Sequence, residues 1–240
     1  MKNLFFKSLS FLAISLMFSG FSYAQKVNGN GNLIQKTRNV GTFDGVGVSG
    51  SLDVFLVEGN EGKLELSVEE NLEPYLVTEV SNGTLKIKWK KGAKIRSTKP
   101  TKITVQFKKL NNVALSGSGD IVSKSKLSSN DLEVALAGSG DINLDLDVQN
   151  LKAAISGSGD IKLRGNAEDF SGAIAGSGDI KADELKAANA ELVISGSGTM
   201  QVHVENKIMA RISGSGDIKY KGNPDKEDIK VSGSGTVKNY

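Results

Sequence analysis

Residues 151–163 read Leu-Lys-Ala-Ala-Ile-Ser-Gly-Ser-Gly-Asp-Ile-Lys-Leu. Leu151, Ala153, Ile155, Gly157, Gly159, Ile161 and Leu163 share one parity; Lys152, Ala154, Ser156, Ser158, Asp160 and Lys162 share the other. Period-two alternation predicts a strand with one buried and one wet face, and the 3.6-residue spacing of an amphipathic helix is missing. The heart of this stretch is apolar, Ser or Ala, Gly, Ser, Gly, Asp or Thr, apolar. It recurs from Leu115, Leu136, Ile155, Ile174, Ile194, Ile212 and Val231. The first glycines of the copies are Gly117, Gly138, Gly157, Gly176, Gly196, Gly214 and Gly233, spaced 21, 19, 19, 20, 18 and 19 residues apart. A strand repeat of about 19 residues marks a solenoid, because one coil cannot bury its inner face alone and stacked coils can.

The glycines lie on the inward parity, where a side chain would otherwise stand. Glycine lets a backbone turn sharply or approach its neighbour closely. The Ser-Gly-Ser-Gly step is therefore expected at a corner, with two or three short strands per coil. The predicted fold is all-β: a right-handed parallel β-helix with rungs of about 19 residues, that hand being usual for parallel crossovers. A degenerate copy, Val48-Ser49-Gly50-Ser51-Leu52-Asp53-Val54, lies far upstream.

Residues 40–112 read as a less regular β part ahead of the repeats at 113–240. Leu64, Leu66 and Val68 alternate with polar residues, as do Leu85, Ile87 and Trp89, and Ile103, Val105 and Phe107. Asn82-Gly83 is a turn signal, and residues 70–78, with Pro74, are expected to hold a short helical turn. Charge is segregated: residues 40–79 carry nine acids and one Lys, and residues 80–119 carry ten Lys or Arg and no acid. Either the basic run binds an anionic polymer, or Glu65 and Glu69 face Lys86 and Lys88 across paired strands.

The 240 residues contain no Cys and one His, which removes disulfides, thiol nucleophiles, zinc ribbons and His-rich metal sites. Lys2 and Lys7, the apolar run from Leu9 to Phe18, and Ser22-Tyr23-Ala24 read as a secretory signal peptide over residues 1–24. Residues 25–39, rich in Asn and Gly, are expected to be a flexible leader. Cleavage lowers the net charge from +3 to +1, so electrostatics give no reason to expect nucleic acid. No later stretch has transmembrane length. The protein is expected in the periplasm, on the cell surface or secreted.

Asp120, Asp141, Asp160, Asp179 and Asp217 recur in register, with Thr199 and Thr236 interrupting the row. Three roles compete for them: accepting backbone hydrogen bonds at the corner, binding calcium, or acid catalysis as in polysaccharide-degrading β-helices. One Asp per rung offers few oxygens to a cation. A row of equivalent carboxylates also lacks the differentiated pair of a glycosidase. His203 is expected at the surface, and Trp89 in the core rather than as a sugar platform. No Gly-rich segment is followed by a helix and Lys, so a phosphate loop is not supported. No cofactor, metal site or catalytic residue is expected.

The lead-in Phe43-Asp44-Gly45-Val46, the strand Gly83-Thr84-Leu85-Lys86-Ile87 and the repeated Ser-Gly-Ser-Gly-Asp-Ile resemble the head GIN domain family over about residues 40–240. That family is described as heads of autotransporter adhesins and is common in the Bacteroidetes. The resemblance implies a pectin-lyase-like right-handed β-helix without catalytic residues, and a role in adhesion. The expected function is thus an exported, non-catalytic binding or scaffold protein for envelope or host glycans or proteins. The outward corner aspartates would form its polar binding face. A polysaccharide-active enzyme and a calcium-stabilised repeat are the alternatives. Weak homo-oligomers are expected through open solenoid edges.

Overall fold

A computed structural model describes residues 25–240, so the expected signal peptide lies outside the described residues. In chain order the strands are β1 (Gln25–Asn28), β2 (Leu33–Asn39), β3 (Gly45–Gly50), β4 (Asp53–Glu58), β5 (Lys63–Glu69), β6 (Leu76–Ser81), β7 (Thr84–Trp89), β8 (Ala93–Arg96) and β9 (Lys102–Phe107). The repeats follow as β10 (Asn112–Gly117), β11 (Asp120–Ser123), β12 (Leu127–Gly138), β13 (Asp141–Gly157), β14 (Ile161–Gly176), β15 (Ile180–Gly196), β16 (Thr199–Gly214), β17 (Asp217–Lys221), β18 (Lys226–Gly233) and β19 (Thr236–Asn239). They wind into a β-solenoid of about seven turns with rungs about 19 residues apart.

Each rung lies in register on the last. Leu136, Ile155, Ile174, Ile194 and Ile212 stack in one inward column. All five are at least 97% buried, as are Ile142, Ile161, Ile180, Met200 and Ile218 beyond the corner. Burying a side chain of this size contributes roughly 1.5–3 kcal/mol, and both columns need a rung above and below to be covered.

Rung length and parity are linked. A 19-residue rung must change phase once: Val148 and Leu151 both point inward, with Gln149 and Asn150 outside. The 20-residue rung changes phase twice, between Ala182 and Leu185 and between Ala187 and Ala190, where the ladder slips. The 18-residue rung holds one phase from Met200 to Ile212. Bulges on the side away from the Gly-rich corner thus absorb the length differences, and the inward columns stay aligned.

The irregular N-terminal part is where the rung order departs from the chain order. The degenerate copy is a true rung: β3 pairs in parallel with β10, Gly50 opposite Gly117, and β4 pairs with β11. On its other side lie β7 and β9, both parallel to it, so residues 84–107 supply the first rung and residues 45–58 the second. Antiparallel strands seal this end, β6 on β7 and β5 on β9, with β2 outside β5. Asn82 and Gly83, both at positive φ, make the tight turn from β6 to β7. Pro74 lies in a 3₁₀ turn, Glu73–Tyr75.

Two expectations need correction here. Residues 25–39 are not a flexible leader: β1 pairs with β8, and β2 pairs with all of β5. Arg38 anchors β2 by donating to the Leu76 carbonyl, Thr78 Oγ1 and the Glu73 carboxylate. Hydrogen bonds from Lys36 and Arg38, then their charges, hold the Glu73 pKa below its ordinary value. The polar sequence of β2 hid it because an edge strand wets both faces. Nor do Glu65 and Glu69 face Lys86 and Lys88. Glu65 lies opposite Thr37 and Thr104, while Glu79 of β6 pairs with Lys88 at 2.9 Å.

Candidate functional site

The corner shows why glycine recurs. Gly117, Gly138, Gly157, Gly176, Gly196, Gly214 and Gly233 stack on Gly50 in one column, all at positive φ. A Cβ on Gly157, at φ +138°, would stand 2.3 Å from the Gly138 carbonyl oxygen. The second glycine of each motif is the more buried one, and a Cβ on Gly159 would stand 2.0 Å from the Gly140 oxygen. The N–H groups of Ser158 and Gly159 both donate to the Gly138 carbonyl, at 2.9 and 3.1 Å. This repeated inter-rung bond leaves no room for a side chain.

The aspartates sit just past this corner, on its outer side. Asp120, Asp141 and Asp160 each accept, through Oδ1, the backbone N–H of the next aspartate up, at 3.3, 3.1 and 3.1 Å. Asp179 accepts from the Thr199 N–H at 2.9 Å. Asp217 accepts from the N–H and hydroxyl of Thr236, at 2.9 and 2.7 Å. Asp160 Oδ2 also takes Lys181 Nζ at 2.6 Å, and that hydrogen bond is the main cause of the raised Lys181 pKa. The row is polarised along its length. Burial, then the nearby Asp53 and Asp141 charges, raises the Asp120 pKa, whereas the Thr236 hydroxyl, chiefly, lowers that of Asp217.

This geometry makes a sharp distinction between variants. Asp160→Asn keeps an acceptor oxygen for the Asp179 N–H and exchanges the exposed Lys181 ion pair for relief of a like charge in the row, so it is expected to change stability by under about 0.5 kcal/mol. Asp160→Ala leaves the Asp179 N–H unpaired and is expected to cost about 1–2 kcal/mol. Urea melts of both check this. An Asn variant as damaged as the Ala variant would mean that charge, not the hydrogen bond, is what the corner needs.

A second outward column escaped the sequence reading. Asp131, Asn150, Asp169, Asn189 and Lys207 stack in register, each seven residues before its corner glycine. Asn150 donates to Asp131 and Asn189 to Asp169, both at 2.9 Å, so acids and amides alternate. The fixed offset from the glycine was the available signal. Among the described residues no three His, Asp or Glu side chains converge as cation ligands. His203 is half-buried on the outer face.

Between the two columns the outer face is almost flat. Gly47, Ala114, Ala135, Ala154 and Ala173 stack beside a column of Ser and Ala running from Ser49 to Ser195. A shallow cavity of about 770 Å³ lies over this face, with Lys86 and Lys88 at one end.

Residues 42–224 match the family model described as "Putative auto-transporter adhesin, head GIN domain". No curated protein matches the chain. Solved structures do. One from Bacteroides fragilis, described as a "putative adhesin", is 27% identical, with 89% of this chain and all of that one covered and a TM-score of 0.82. One from Parabacteroides distasonis, described as a "putative lipid binding protein", is 30% identical, with 90% of this chain and all of that one covered, TM-score 0.74. A third, a "putative adhesin" from Parabacteroides merdae, is 28% identical, covers 90% of this chain and all of that one, and has a TM-score of 0.69.

Proposed function

The chain belongs to the head GIN domain family, and from that premise we propose that it is an exported, non-catalytic binding module that adheres to envelope or host glycans or proteins. The observation that carries this reading is the commitment of the corner carboxylates. Each Asp in the row spends an oxygen on the next rung's N–H, and the two shifted in opposite directions, Asp120 and Asp217, stand at opposite ends of the row rather than across one site. Acid–base chemistry on a glycoside needs two carboxyl groups held in different states. A rigid, repetitive surface with its polar groups paired rung to rung suits a scaffold that presents a broad front to a large partner.

The test has two arms. Protease shaving of intact source cells, with lysed cells as control, is expected to digest the protein from outside. Purified protein is then offered a glycan panel, immobilised envelope proteins, and phosphatidylglycerol vesicles, the last because one relative is described as lipid binding. Retention of a glycan or protein with no new reducing ends or unsaturated products is the expected result. Turnover of any polysaccharide would replace this reading with the enzyme alternative. Protection until lysis would confine the partners to the envelope.

A further inference from the structure

The corner of the first rung departs furthest from the repeat among the described residues. Between β7 and β9 there is no Ser-Gly-Ser-Gly step; residues 90–101 loop out instead and carry β8. The loop roofs a cavity of about 580 Å³ over Gly50 and Ser51, a volume in the range of small-ligand sites.

Trp89, the chain's single tryptophan, forms one wall. It packs on the core yet stays half-buried. Its indole lies against Gly50, where a Cβ would come within 3.3 Å of Cδ1. Ile95 and Pro100 add apolar wall. Thr101 lines the same cavity; it is 2% exposed, and its Oγ1 is shielded without a hydrogen-bond partner. A buried hydroxyl left unpaired is unusual, and this one lies behind the cavity wall rather than on its surface.

The rim is basic. Arg96 and Lys99 border the cavity, and Lys90, Lys91, Lys94 and Lys102 flank it on the same segment; all six are exposed. Among the described residues none of these six forms an ion pair. Of the acids beside the loop, Asp53 stands opposite Lys102 one rung over, and Glu69 is already spent. Its carboxylate accepts the Thr98 N–H and hydroxyl and the Lys99 N–H, at 2.8, 2.7 and 3.3 Å. Those bonds also fix the loop, so the cavity is formed before any ligand arrives.

We propose that this cavity binds an anionic saccharide, with one sugar ring stacked on Trp89 and its carboxylate or sulfate held by Arg96 and Lys99. The proposal rests on the binding reading above and locates its site. A pyranose has an apolar C–H face to set against an indole and a rim of hydroxyls to meet the indole N–H. Arg offers a planar fork to a carboxylate or sulfate, and among the described residues Arg96 forms no ion pair.

Because Trp89 is the only tryptophan, its emission reports on the site directly. The full protein is titrated with tetragalacturonic acid, a heparin hexasaccharide, maltotetraose and a ten-nucleotide dT strand. Saturable emission changes are expected with one or both acidic sugars, at a Kd of about 10 µM to 1 mM. The carboxylated and sulfated probes tell the two acid groups apart. Arg96→Ala and Lys99→Ala should each weaken that binding, Arg96→Ala about tenfold or more, at unchanged melting temperature, while Lys230→Ala at the far end of the solenoid should not. The proposal is overturned by silence towards both acidic sugars, by equal affinity for maltotetraose, by tighter binding of dT, or by full binding in Arg96→Ala. The two readings fail separately. If the Arg96→Ala, Lys99→Ala double variant holds the glycan panel or envelope proteins as well as wild type, adhesion stands and this site does not. If wild type holds nothing, the binding reading itself has failed.

Discussion

Gly159→Ala is expected to lose about 3–5 kcal/mol of stability, a large share of what a domain of this kind possesses. The new methyl would stand 2.0 Å from the Gly140 oxygen and 3.0 Å from Leu136 Cδ2. The first of these is backbone, held in place by the rung beneath, and cannot swing away as a side chain can. Relief requires the rungs to part, which would break the Ser158 and Gly159 hydrogen bonds to Gly138. Because each rung touches only its neighbours, a break in the middle uncouples the two halves. Denaturant unfolding should therefore split into two transitions. Gly41→Ala is the control: nothing lies within 4 Å of a Cβ there, and a change under about 0.5 kcal/mol is expected. A single wild-type transition for Gly159→Ala would mean that the rungs are not in contact at this corner.

Glu69 should be the most sensitive side chain of the sealed end. It is fully buried, and it accepts the Gly31 N–H as well as the three donors from residues 98 and 99. Burial by itself would raise its pKa; the Thr98 hydroxyl and the N–H groups of Gly31, Thr98 and Lys99 outweigh that and hold it below the ordinary value. A carboxylate with a lowered folded-state pKa stabilises the fold above the unfolded pKa, and that contribution is lost as the pH falls through the folded one. Wild-type stability should thus be level from neutral pH to about 5 and fall below about 4.5, as Glu begins to protonate in the unfolded chain. Glu69→Ala, which leaves four donors without their acceptor and empties a buried position, should cost about 2–4 kcal/mol at pH 7 and redden the Trp89 emission as the loop loosens. Glu69→Gln should flatten the acid limb. An acid limb unchanged in Glu69→Gln would place the pH sensitivity on other carboxylates.

The corner motif and the inward columns were legible because each side chain in them answers to a single constraint repeated in every rung. The first rung was not legible, since it carries no corner motif, and its two strands are separated by residues 90–101. The second rung was blurred for a related reason. Leu52 stands where later rungs have their second glycine, opposite Gly119, and is fully buried. Its neighbour on the outer side is the loop rather than another glycine corner, so a side chain fits. At the candidate site, the parity of Trp89 placed it correctly on the core side of β7. What parity could not convey is that the strand ends there, so that the ring is left at the lip of a cavity. The hydrogen bonds of the aspartate row were among the roles considered from sequence, but the direction of donation, from the rung above, needed the register.

The displaced first rung fixes the order of assembly. A uniform repeat array can begin folding at any unit, whereas here the second rung is laid down with neither neighbour present. Its closure against the first joins Gly45 to Thr84, twice the chain separation of a later rung step, and each doubling of loop length costs only about 0.6 kcal/mol. The heavier demand is that β5, β6, β7 and β9 settle together, with long-range antiparallel pairs, before the stack has a floor. Core truncations such as Ile87→Ala are thus expected to slow refolding, and Ile212→Ala chiefly to speed unfolding. Winding then proceeds in one direction only, each rung templated by the one before it. For such a chain, the number of rungs is a free variable and the floor is not.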